Sequence, residues 1–145
     1  PEPNGRSIDR FGVSPIDGRP MGVLDVPSLA MASGAADVRF DLAIGESEGT
    51  RSGGGASHDL YITVSGRLET GGDGIRHRLV SDTKGQAHMT AMGVLIAIDR
   101  ILGLDGAPAV TKGFHGPESL LPAADAVRRL GDADIEISDL PPVRG

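Results

Sequence analysis

Residues 59–82, DLYITVSGRLETGGDGIRHRLVSD, decide the fold. Leu60, Ile62, Val64 and Leu68 lean to one side of the chain, and Tyr61, Thr63, Ser65 and Arg67 to the other. That period of two belongs to a strand with one face against a core. The glycine-rich ETGGDG then reverses the chain and the segment 75–80 supplies a second apolar run, so residues 60–80 read as a hairpin with a longer loop. Upstream, Val38, Phe40, Leu42 and Ile44 alternate with Arg39, Asp41, Ala43 and Gly45, which adds a third strand. Three consecutive strands favour an antiparallel sheet.

Downstream the pattern changes in kind. Residues 89–102, MTAMGVLIAIDRIL, leave only Asp99 and Arg100 clearly polar. A helix apolar nearly all round is expected to be buried on more than one side. Thr90 or His88 can cap it, and Gly103 stops it. A short helix is expected over 23–31, a flexible loop over 46–57 around Gly53, Gly54 and Gly55, a helix from Ala123 to Leu130 behind Pro122, and a brief strand over 135–137. The fold class is therefore α+β: an antiparallel or mixed sheet of three to four strands packed on the 89–102 helix. Residues 1–22 mix proline, glycine and charge without an apolar period, so they are expected to form a mobile or surface-draped leader to a single domain over 23–145.

Composition excludes several functions. The chain has 145 residues, with 20 Asp and Glu against 14 Lys and Arg and a net charge of −6. A nucleic-acid binder needs a clustered basic excess to neutralise phosphates, so that partner is not expected. With no cysteine there is no disulfide and no thiolate site, and a cytoplasmic location is the simplest expectation. No apolar run approaches the ~18 residues of a membrane span. Glycine and proline number 22 and 10, which calls for many loops. A start at Pro1 rather than methionine points to a chain that was processed or excised from a longer one.

The chemistry-bearing residues are few. The histidines His58, His77, His88 and His115 show no metalloprotease spacing, and no metal is expected. There is no G-x-G-x-x-G, no Walker lysine and no serine elbow. Strand alternation puts His77 on the apolar face with Ile75 and Leu79, where an imidazole must find a partner, so it is either a satisfied core residue or a catalytic one. Arg76 and Arg78 share the opposite face, and hairpin pairing is expected to bring Arg67 beside them. Three guanidiniums on one surface either face water beside acids or hold a carboxylate bidentately.

The helix with its following peptide, HMTAMGVLIAIDRILG and KGFHGPESLL, resembles the C-terminal part of saccharopine dehydrogenase-like oxidoreductases, through Thr90, Ala91, Gly103, Gly113, Phe114, Pro117 and Glu118. The preceding strand pair is similar to that family's second-domain hairpin. The resemblance covers residues 38–130 and implies the substrate-side, dimer-forming part of an NAD(P)-linked enzyme, inactive alone because the Rossmann half is absent from this chain. It places Thr90, Pro117 and Glu118 near the cofactor. The Arg67, Arg76, Arg78, His77 and His88 side chains are the expected binders of a small carboxylate-bearing molecule, with a Rossmann domain or a second copy as partner. Two rivals are a stand-alone ligand-binding or interaction module, and a small hydrolase or isomerase built on His77 or His88.

Overall fold

The computed structural model describes residues 5–11 and 13–141. In chain order its elements are β1 (Arg6–Ile8), β2 (Ile16–Pro20), α1 (Asp25–Ser33), β3 (Asp41–Ala43), α2 (Glu48–Arg51), β4 (His58–Arg67), β5 (Asp73–Asp82), α3 (Gln86–Leu102), α4 (Pro117–Leu120), α5 (Ala123–Asp132) and β6 (Glu136–Leu140). The class is α+β, with two antiparallel three-stranded sheets. The chain forms two compact units rather than one: residues 1–45 with 99–123, and residues 46–98 with 124–145.

The first unit carries the sheet β1-β2-β3. The segment expected to be a leader thus contributes two strands, while Pro1 to Asn4 and Gly12 lie outside the described residues. Asp41 is the polar anchor of this sheet. Arg39 reaches it with Nε and Nη2 at 2.7–2.9 Å, and Arg6 adds an ion pair at 2.8 Å. The alternation read from Val38 yields only the three residues of β3, and its apolar side is not a core: Ile44 is 90% exposed. A three-residue strand at the edge of a small sheet has nothing to lay over it.

The second unit carries β4-β5-β6, the hairpin extended by a C-terminal strand. Its register runs without a bulge from His58↔Asp82 to Arg67↔Asp73, and Arg78↔Asp139 ties β6 to β5. Leu79, Val80, Ile96 and Ile135 are its buried apolar residues, joined by His77, Ser81 and Asp82. The core therefore centres on the second half of β5.

Two expectations about α3 are corrected. It starts at Gln86, so His88 and Thr90 lie inside it rather than capping it, although it does end at Gly103, which takes φ +72°. Ile96 alone is buried, and Val94, Leu95, Ile98, Ile101 and Leu102 stay substantially exposed. Apolar positions run all round the helix, but each unit is too small to enclose more than one stripe of them.

The 46–57 segment is also more ordered than a flexible loop. Ser47 caps α2 by accepting from the Thr50 amide, while the Thr50 hydroxyl accepts from the Ser47 amide, a reciprocal capping box. Gly49 is required there, because a Cβ at this position would run into the carbonyl oxygen of Gly55 and the backbone of Ser57. Gly49→Ala is expected to cost about 2 kcal/mol, as overpacking does, read as a lower urea midpoint with α2 melting first in hydrogen exchange.

Candidate functional site

Register decides what the hairpin presents. Arg76 lies opposite Val64 and Arg78 opposite Ile62, whereas Arg67 lies opposite Asp73. Paired residues share a face and neighbours alternate. Arg67 therefore falls on the face of His77, away from Arg76 and Arg78, and the expected trio of guanidiniums does not assemble. Arg78 is moreover engaged, with Nη2 2.8 Å from Asp139. The acid comes from β6, 61 residues away in sequence. His77 is buried on the opposite face, with Nδ1 3.0 Å from the hydroxyl of its cross-strand partner Thr63. The geometry is that of a core histidine with its polar atom provided for.

On the same face, nearer the start of β4, Asp59 organises a polar cluster. Its carboxylate accepts from the Ser57 hydroxyl at 2.9 Å, the Ser81 hydroxyl at 2.7 Å and the Glu48 amide at 2.8 Å. Glu48 in turn receives the Tyr61 hydroxyl and pairs with Arg51. Burial first, and then the Glu48 carboxylate, push the Tyr61 phenol well above its ordinary range, so it stays a proton donor. This cluster holds α2 on the hairpin.

The feature with chemical reach lies at this same end of the hairpin, at the last residue of β5. Asp82 ends the strand with 0% exposure, and its carboxylate turns the chain into α3 by accepting the Lys84 amide at 2.8 Å. Its other oxygen lies 2.8 Å from Nδ1 of His88, in the first turn of α3. Burial opposes the charge on Asp82, but the hydrogen bonds from His88 and Lys84 outweigh it and hold this carboxyl below its ordinary value. An ionised Asp82 keeps the Nδ1 proton on His88 and leaves Nε2 as the ring nitrogen for other partners.

The His88 side chain, 27% exposed, borders an open cleft of about 420 Å³. Lys84, Met92, Arg128, Arg129, Asp132, Ala133 and Asp134 line the rest. Lys84 Nζ lies 3.0 Å from Asp134 and Arg128 Nη1 3.0 Å from Asp132. Asp134 sits at φ +64° just past α5, a left-handed conformation that Asp tolerates better than most residues. Both ion pairs are half-exposed or more, and such pairs hold by little.

Of the expected binders, then, His88 borders this cleft, and Arg67, Arg76, Arg78 and His77 do not. Asp82, Lys84 and Arg128 were missed by sequence reading. A local signal existed in Asp82-Thr-Lys-Gly, a turn followed by a histidine in the next helical turn.

The residues assigned to a cofactor fall in different units. Thr90 is an exposed position of α3. Pro117 and Glu118 open α4, a single turn, with the Glu118 carboxylate folded back against Gly116 and accepting from the Ser28 hydroxyl at 2.9 Å. An acid therefore lies over that helix start. Among the described residues no group of three or more His, Asp and Glu could hold a metal ion, and no helix is long and apolar enough to cross a membrane. Compared with known protein families, curated proteins and solved structures, the chain finds no match in any of the three.

Proposed function

We propose that the hairpin unit is a binding module for a small carboxylate-bearing molecule, received in the cleft beside His88. The observation that carries this reading is a histidine fixed through Nδ1 by a buried carboxylate, 2.8 Å away, at the edge of a cleft with three cationic side chains. Lys84 and Arg128 supply the charge, and their exposed partners Asp134 and Asp132 occupy positions that a ligand carboxylate takes over. His88 donates or accepts at Nε2, with Asp82 setting the tautomer. This arrangement moves the anchoring role from Arg67, Arg76 and Arg78 to the turn between β5 and α3 and to α5.

Titrating acetate, succinate and 2-oxoglutarate into the full chain while following the four histidine ring signals tests it. A saturable displacement of the His88 signals by a dicarboxylate is expected, while those of His77 stay still. Lys84→Ala and Arg128→Ala are each expected to weaken binding about tenfold, the worth of one charge-assisted hydrogen bond. Unmoved His88 signals, or equal displacement in the Lys84→Ala/Arg128→Ala double variant, overturn the reading.

A further inference from the structure

The edges of the two sheets are treated unequally. β1 and β3 are three residues each, too short to recruit another strand. β6, the outer strand of the hairpin sheet, carries the charges of Glu136 and Asp139 and runs into Pro141, two of the devices by which natural sheets blunt an edge. β4 is less protected: its charged residues, Asp59 and Arg67, stand at its two ends and leave residues 60–66 between them without a charge. It is ten residues long, has no lysine, proline or bulge, and pairs on one side only, with β5. Among the described residues, no backbone hydrogen bond from outside the sheet reaches residues 58–67. Its exposed half also bares apolar side chains, with Ile62 at 42% and Val64 at 65%.

We propose that β4 pairs antiparallel with β4 of a second copy of this chain, about a two-fold axis at Thr63, joining two hairpin sheets into one of six strands. The charges on the strand select the copy and the register. A two-fold axis normal to a sheet sets residues i and j opposite each other with a constant sum, and both lie on the same face. Centring on Thr63 places Asp59 opposite Arg67 of the second copy, and Arg67 opposite its Asp59. Both termini of the ladder are then closed by opposite charges. Asp59 retains room for this, since a carboxylate offers about four acceptor positions and three are filled within its own chain. Arg67 has no ion pair or side-chain hydrogen bond of its own among the described residues. On the opposite face the same register sets Ile62 against Val64 twice, gathering four exposed apolar side chains into one patch. Centring on Ile62 or on Val64 instead leaves Asp59 against Ser65 or Arg67 against Tyr61, with no charge answered.

The chain has no cysteine, which makes the register directly readable. Only the residue on the axis meets itself, so Thr63→Cys is expected to give a disulfide-linked dimer in mild oxidant. Ser65→Cys, whose copies lie on opposite sides of the axis, is expected to stay unlinked. Sedimentation of the unmodified chain is expected to show a concentration-dependent monomer–dimer equilibrium. Arg67→Ala is expected to weaken it about tenfold, because two exposed pairs are lost together. Val64→Glu, which faces Arg76 within its own hairpin, is expected to keep the chain folded by circular dichroism and to leave it monomeric. A monomer at all accessible concentrations, equal linking of both cysteine variants, or a dimer indifferent to Val64→Glu overturns the proposal. So does open-ended aggregation in place of a dimer.

Discussion

Replacing Asp59 with alanine is expected to destabilise the hairpin unit by about 3 kcal/mol, since each orphaned part-buried donor costs roughly 1–3 kcal/mol and solvent recovers a portion. Three donors lose their acceptor at once: the Ser57 and Ser81 hydroxyls and the amide of Glu48. They belong to the segment before β4, to β5 and to α2, so the loss is spread across three elements rather than confined to one contact. Asp59→Asn is expected to recover part of the effect, because its amide oxygen still accepts while its NH2 meets donors. Urea unfolding followed by far-ultraviolet circular dichroism reads the total. Amide exchange reads its distribution, with the amides of Glu48 and Gly49 expected to lose protection before those of β5.

Acid is expected to weaken both units, through one carboxylate in each. Asp82 is held below its ordinary value by His88 and the Lys84 amide against the opposing effect of burial. Asp41 is held low chiefly by Arg39, with Arg6 assisting. For a group whose folded value is depressed, the stabilisation is complete above the unfolded value, about 3.9 for Asp, and disappears as pH falls through the folded one. Stability from these two groups is therefore full at neutral pH and lost below about pH 4. Asp82→Asn is expected to cost about 2 kcal/mol at pH 7, the scale of hydrogen bonds to a charged acceptor. The gap between this variant and the parent chain is expected to close as acid protonates the parent's carboxyl. Urea midpoints between pH 7 and pH 3 measure it, and a gap that stays constant with pH removes Asp82 as the acid-sensitive group.

Much of the architecture was legible along the chain. Alternation marked β4 and β5, the glycine-rich turn between them marked the hairpin, and Gly103 marked the end of α3. All of these depend on neighbours within a few residues, where steric preference and periodicity act directly. The capping box of α2 was local too. It was read as loose because three glycines follow it, although Ser47 and Thr50 satisfy each other regardless of what comes after.

What the sequence by itself determined about this protein is the α+β class, the hairpin, and the end of the long helix at Gly103. Only the tertiary structure decided which side chains meet. The parity of the β4–β5 register separates Arg67 from Arg76 and Arg78, and Asp139 reaches Arg78, and Asp134 reaches Lys84, from 61 and 50 residues away. Side-chain partners across such separations follow from how strands align and where a distant segment docks. A one-residue change of register reverses every face while leaving the local pattern of residues untouched.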